Sequence, residues 1–354
     1  MIGMPASVAE NGDARPQRRG ALRGVLRGIG TMIFTLAGLL LITFGLSRLS
    51  PVDPALRLVG DHASSSAYAD ARRTLGLDAP WPVQFERYVG RLARGDWGLS
   101  SSTGERVSDD LLRVFPATLE LATLAMALCA LVGLPLALLS AWRPRGALDA
   151  LVRVVSLAGN SVPIYWLGLL ALYFLYARWR WLAGPGRLDD AFEYTIDMHT
   201  GAVLIDTWRS GIPGALANAM SHLVLPVLLL AAYAVGGVTR LTRAALLAEA
   251  AKEYVTLARA KGATELRVLL AHILPNAAGV ILTVLALAYA TLLEGAVLIE
   301  TVFAWPGLGR YLTTALFAAD TAAILGATLV IGACFVLLNG VTDMVVQFLD
   351  PRTR

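Results

Sequence analysis

Six stretches of the chain run without a charged side chain for as long as a membrane helix requires. They are Gly28 to Ser47 (20 residues), Leu121 to Trp142 (22), Val154 to Ala177 (24), Ser210 to Thr239 (30), Val268 to Leu293 (26) and Thr321 to Thr342 (22). About 20 apolar residues cross the hydrocarbon core as a helix, so each run predicts a span. The expected order is a basic tail over 1–27, then a first span at 28–47 and an external loop with short helices at 48–115. Spans at 117–142 and 150–178 follow, then an external polar loop at 179–217 and a span at 218–240. A cytoplasmic loop at 241–267 leads to a span at 268–299, an external segment at 300–320, a last span at 321–346 and a short tail at 347–354.

The long loop after the first span is patterned. ASSSAYADARRTLG begins with serines suited to capping, and VQFERYVGRLARG places Val83, Phe85, Tyr88, Val89 and Leu92 at helical spacing. Together they predict a small helical cap over the first two spans. The loop at 179–217 mixes Asp189, Asp190, Glu193, Asp197 and Asp206 with Arg187 and Arg209. It is too polar to span, and it reads either as a solvated loop or as part of a cationic substrate's route.

Composition agrees: 56% hydrophobic and 16% charged residues, with a mean hydropathy of +0.62, exclude an ordinary soluble domain. Charge fixes the expected orientation. With the N-terminus inside, 16 of the 30 Lys and Arg are cytoplasmic, and 9 of the external ones lie in one loop of more than 60 residues, where the positive-inside rule loses force. N-in, C-in is therefore expected, and the basic pI of about 9.2 is a topology signal with no nucleic acid implied. The first run is longer than a signal-peptide core and ends in FGLSRLSPVDPA, an unconvincing cleavage site, so it reads as a retained helix. Cys129 and Cys334 each fall inside a predicted span and read as buried apolar thiols.

Chemistry-bearing motifs are few. The sequence has no GxxxxGK[ST], HExxH or GxSxG, and His62, His199, His222 and His272 are scattered, so neither catalysis nor a metal site is expected. Asn160, Ser161 and Pro163 in the third span are either packing positions or marks of a helix bent around a pathway. Glu294 follows 26 uncharged residues. An acid at that depth belongs on a bundle interior or in water, so it is a pathway candidate, or a hydrated residue near the external end.

The stretch from Glu249 to Pro275 is a charged island between two spans. Glu253 to Ala260 suits a short helix with an apolar ridge at Tyr254, Val255, Leu257 and Ala258, flanked by Lys252, Arg259 and Lys261. Gly262 suits a left-handed helix end, and Thr264 and Glu265 suit the next helix start. This segment, EYVTLARAKGATELRVLLAHILPNA, resembles the EAA loop of ABC importer permeases in the form found in the peptide/nickel group. LSPVDPA, LGLDAPWPVQFERYV, GDWGLS, FPATLELA, NSVPIYWLG, LEGAVLIETVFAWPGLGRYL and FLDPR are similar to the same group's B-type permease, in the same order. The external insertion with TGAVLIDTW looks most like the dipeptide permeases. One departure is clear: Thr256, Leu257 and Ala258 stand where the wider superfamily has Glu-Ala-Ala, while Ala258, Ala260 and Gly262 match.

The resemblance implies an all-α integral membrane protein of six helices with a cytoplasmic coupling helix. It implies half of a pathway for dipeptides or related small peptides, shared with a second homologous permease. Partners would be two ABC ATPase subunits and an external solute-binding protein, with ATP and magnesium on the ATPases and no cofactor here. The ATPase-coupling residues it implies are Glu253, Tyr254, Val255, Leu257, Ala258, Arg259, Ala260, Lys261 and Gly262. A stand-alone secondary transporter or channel using intramembrane acids is the alternative, but it gives no reason for an exposed helix, glycine and helix, and the spans show no repeated halves.

Overall fold

The computed structural model describes residues 29–45, 54–60, 63–74, 76–142, 144, 146–147, 149–150, 152 and 162–349. The described residues are helical apart from loops and one isolated antiparallel bridge, Leu99 to Arg106. Four helices are long and apolar enough to cross a membrane: α5 (Val107–Trp142), α9 (Ala215–Ala250), α11 (Glu265–Val302) and, within α13 (Thr321–Leu349), Thr321–Thr342. Two apolar helices are shorter, α1 (Ile29–Gly45) and α6 (Ile164–Arg178). The rest of the first and third charge-free runs, including Asn160 and Ser161, lies outside the described residues.

Three short helices follow α1: α2 (Pro54–Val59), α3 (Ser65–Thr74) and α4 (Trp81–Ala93). Pro82 is the second residue of α4 and fits a first turn because its missing N–H has no partner there. The apolar face of α4 covers the end of α1, where the buried Phe44 ring meets Phe85 edge-on at 5.3 Å and stacks on Tyr88 at 5.8 Å. Between α6 and α9 run α7 (Asp190–Glu193) and α8 (Val203–Ser210); α10 (Glu253–Ala260) and α12 (Leu308–Phe317) flank α11.

Helix α9 is central, packed along α5 and α11. Small residues bring these helices close: a Cβ on Gly133 would lie 3.2 Å from Val238 Cγ1, and one on Gly295 would lie 3.1 Å from Leu230 Cδ1. Thr239 Oγ1 donates to the Gly133 carbonyl across the same contact at 3.3 Å. Pro163, which the sequence suggests as a kink within a span, instead precedes the first residue of α6 with φ −59° and ψ 130°. Proline disfavours continuation of a helix through it and suits a helix start.

Both ends of the bundle outrun the apolar stretches, because buried partners hold the polar turns. Helix α5 begins at Val107, ten residues before its expected start at 117. Its Asp110 accepts from Thr103 Oγ1 at 2.6 Å and Tyr311 Oη at 3.3 Å and pairs with Arg113, and its Glu120 accepts from the Val203 and Leu204 amides of α8 at 2.8 Å each. Asp320, just before α13, accepts at Oδ2 from Ser100 Oγ at 2.7 Å and from the Ser102 amide and hydroxyl at 2.9 Å. Burial alone would push the Asp320 carboxyl up, but these hydrogen bonds and one from the Ala323 amide hold it below its ordinary value.

The buried Glu300 carboxylate organises the junction between α11 and α12. Thr118 Oγ1 donates to Oε1 at 2.6 Å, and the Gly309 and Arg310 amides at the start of α12 donate to Oε2 at 2.7 and 3.1 Å. Thr118 in turn accepts from the Leu308 amide at 2.7 Å, and the buried Trp305 indole donates to the Ala117 carbonyl at 3.2 Å. The positive end of α12 thus rests on a carboxylate from α11. The glycines of WPGLG make room for it: a Cβ on Gly309 would lie 2.4 Å from Val297 Cα and 2.9 Å from Glu300 Oε2. Gly309→Ala is therefore expected to destabilise the protein by about 1–3 kcal/mol through overpacking. The check is the melting temperature of the detergent-purified protein, and an unchanged value would refute this account of the junction.

Candidate functional site

One end of the bundle is built from the ends of α5, α9 and α11 with α10 between them. Helix α9 runs ten residues beyond its apolar stretch, to Ala250, before Ala251 and Lys252 turn the chain into α10. Val255 is completely buried, and Tyr254 and Ala258 are half-buried against a core of Leu246, Val268, Leu269 and Ile273. The apolar ridge read from the sequence therefore divides. Tyr254, Val255 and Ala258 fasten α10 to its own chain, whereas Leu257, 56% exposed, faces outward with Glu253, Thr256, Arg259, Ala260 and Lys261.

Gly262 ends α10 with φ +83°, a conformation in which an L side chain is strained, while no atom lies within 4 Å of where its Cβ would be. The glycine is needed for backbone conformation and not for packing space. Thr264 then caps α11, its Oγ1 accepting from the Arg267 amide at 3.4 Å. Arg259 grips Glu265 across the turn through two contacts of 3.0 and 3.2 Å, fixing the angle between α10 and α11.

Two further polar clusters brace this element. Asp149, fully buried shortly after α5, accepts from Arg243 Nε at 2.6 Å and Nη2 at 3.0 Å, and from Ser140 Oγ at 2.5 Å. Glu249 near the end of α9 accepts from Tyr254 Oη at 2.9 Å and pairs with Lys252 at 2.6 Å, and the Tyr254 hydroxyl also lies 3.3 Å from the His272 carbonyl. The first turns of α11 are π-helical over Val268–Ile273. Pro275 explains this: it has no N–H for the carbonyl four residues back, and its ring crowds that carbonyl. A cavity of about 230 Å³ lies behind α10, lined by Trp142, Leu246, Leu247, Leu269 and Ile273 with Arg259 and Glu265.

The residues from Glu253 to Gly262 thus form one site, and the pathway candidates lie elsewhere. Pro163 is exposed at the start of α6. Glu294 is exposed on α11, in a stripe with Val280, Leu287, Thr291 and Leu298, and has no partner among the described residues. Asp149, Arg243, Glu249 and Glu300 were not singled out by the sequence. Asp149 offered a signal, as a lone acid among three arginines in RPRGALDALVR, and Glu249 offered another, placed three residues before Lys252. No group of three or more His, Cys, Asp or Glu side chains among the described residues could hold a metal ion.

A bundle of long apolar helices with a charged, outward-facing helix between two spans defines a multi-pass membrane permease. Residues 133–354 match the model of the "Binding-protein-dependent transport system inner membrane component" family, and residues 21–122 match that of its N-terminal membrane component. The chain belongs to this family and is an ABC importer permease of the bacterial inner membrane. It is 44% identical to the probable D,D-dipeptide transport system permease protein DdpB of Escherichia coli (strain K12), over 91% of this chain and 94% of that one. It is 39% identical to the di/tripeptide transport system permease protein DppB of Pseudomonas aeruginosa (strain UCBPP-PA14), over 93% and 98%. Among solved structures it is similar to one of the inward-facing MetNI methionine ABC transporter, with a TM-score of 0.47 and 18% identity over 68% of this chain and 96% of that one.

The Asp149 cluster makes a direct prediction. Asp149→Ala leaves the Arg243 guanidinium, largely buried, without its carboxylate, at an expected cost of about 3–5 kcal/mol. Asp149→Asn keeps an acceptor and costs less. Thermal unfolding of the two variants side by side checks the order, and an equal melting temperature for Asp149→Ala and the parent would contradict it.

Proposed function

We propose that this chain forms half of the translocation pathway of an ATP-driven importer of dipeptides or related small peptides, with a second homologous permease as the other half. An external solute-binding protein delivers the peptide, and two cytoplasmic ABC ATPases, carrying ATP and magnesium, engage the coupling element Glu253 to Gly262. The observation that carries this reading is the outward face of α10: Leu257 stands exposed among Arg259, Ala260 and Lys261 on a helix anchored to the bundle by Val255. An apolar residue ringed by charge suits insertion into a partner groove. The names of the relatives, which specify D,D-dipeptides and di- or tripeptides, support the peptide class.

The topology proposed is six spans, N-in and C-in, which puts α10 in the cytoplasm. Glu294 lines the pathway in this reading, with Asn160, Ser161 and Pro163 as further candidates on the third span. A carboxylate eight residues before the end of α11 with no partner among the described residues is stable only against water or a polar neighbour, and a peptide route supplies both.

Two experiments test the reading. Leu257→Asp, which places a charge in the proposed groove, should reduce co-purification of the ATPases about tenfold or more. Gly262→Val, strained at positive φ, should lower uptake of labelled alanyl-alanine per ATP by the reconstituted complex. Full co-purification and uptake in both variants would refute the coupling assignment, and a parent complex that imports neither the L,L nor the D,D form of that peptide would refute the substrate class. With Cys129 and Cys334 replaced by alanine, a membrane-impermeant thiol reagent should reach Ala260→Cys only in opened cells and Glu294→Cys in at least one transport state. Labelling of Ala260→Cys in intact cells would invert the topology, and inert Glu294→Cys in every state would remove it from the pathway.

A further inference from the structure

A coupling helix can transmit force only if it is fixed to the spans it is meant to move. Apolar contact holds Val255 and Ala258 in place but is not directional, so α10 could still slide or roll on it. Arg259 on Glu265 is a directional contact at the exposed turn; the one inside the junction is Tyr254. Its ring is half-buried in the helix junction, and its hydroxyl reaches two other elements: the Glu249 carboxylate of α9 at 2.9 Å and the His272 carbonyl of α11 at 3.3 Å. That carbonyl lies in the π-helical stretch that Pro275 imposes, where Asn276 Nδ2 also donates to it at 2.6 Å. The Glu249 carboxylate is oriented in turn by Lys252 at 2.6 Å. The single phenol proton is shared between these two acceptors, with the shorter contact to Glu249, so the hydroxyl sits where the coupling helix, the end of one long helix and the start of the next meet.

We propose that Tyr254 is a positioning residue, a strut that makes α10, the end of α9 and the π-helical start of α11 move as one body. The inference rests on α10 being the coupling element, and it changes the part Tyr254 plays there, from a surface offered to the ATPase to an internal link. The π-helical stretch is the natural place for such a link. It interrupts the regular α-helical bonding of α11, so without the strut a push on α10 would be absorbed there.

The test uses the reconstituted complex with its ATPases and binding protein, and labelled alanyl-alanine as substrate. Tyr254→Phe keeps the ring and removes the hydroxyl. Peptide imported per ATP hydrolysed should fall about tenfold, the scale of a hydrogen bond to a charged group. Glu249→Ala should show a similar loss, the double variant should be no worse than either single one, and Glu249→Gln, which still accepts from the hydroxyl, should restore most of the ratio. Spin labels at Thr256 and Leu270, both exposed, should hold one separation with and without Mg-ATP in the parent and take a second or broader one in Tyr254→Phe. A parent-like ratio and separation in Tyr254→Phe would overturn the strut, as would multiplying losses in the double variant. Loss of ATPase co-purification in Tyr254→Phe would also overturn it, by making the hydroxyl a docking group. Failure of Leu257→Asp to affect co-purification would instead count against the docking reading beneath it.

Discussion

Every charged group buried inside this bundle has to find its partner within the chain, and Glu300 is where that constraint is most strictly met. Lipid offers no hydrogen bonds, and an unsatisfied carboxylate there costs several kcal/mol. Glu300 is fully buried yet accepts from a hydroxyl and two amides, joining α5, α11 and α12 at one point. The turn between α11 and α12 follows from it. Trp305 fills the space beside α5, while Gly307 and Gly309 let the backbone close over the carboxylate. The same logic repeats outward at Asp110, Glu120 and Asp320, each bound by donors from a different segment of the chain.

The opposite end obeys the constraint differently. Asp149 meets its requirement with the Arg243 guanidinium, and Glu249 with Lys252 and Tyr254, so side chains that can reorient replace backbone amides held in place by a turn. A cavity lies beside them, and the first turns of α11 are π-helical. Well-packed interiors resist gradual deformation and shift between discrete arrangements, which need space and exchangeable partners. Both are found on the side where α10 lies.

Much of the architecture could be read from charge spacing, because helix length in lipid is set by the bilayer and acids and bases mark its edges. Helix α10, its glycine stop and the cap at Thr264 were legible for a similar reason: each depends on residues within one or two turns. The orientation of α10 was not. Tyr254, Val255, Leu257 and Ala258 are equivalent as an apolar ridge, and only the positions of α9 and α11 decide that Val255 points in and Leu257 out. Glu294 and Glu300 make the same point. They lie six residues apart on one helix, about 120° around its axis, so one carboxylate is exposed and the other enclosed. Both look alike in the sequence, since the donors that enclose Glu300 come from α5 and α12.

This contrast between the two ends bears on how α10, in the proposed coupling role, could work without the acid that usually leads its motif. Thr256, at that position, is exposed and adds no charge. Orientation comes instead from the charged residues around it: Arg259 on Glu265 sets the angle to α11, and Lys252 on Glu249 sets the seat of Tyr254. Both pairs are local and within the chain, so the helix is presented in a fixed pose before any partner arrives. Pre-organisation of that kind reduces the entropy lost on docking. Shape at Leu257, Ala260 and Gly262 can then carry recognition, with the junction at Glu300 as the fixed end against which a moving end at α10 would pivot.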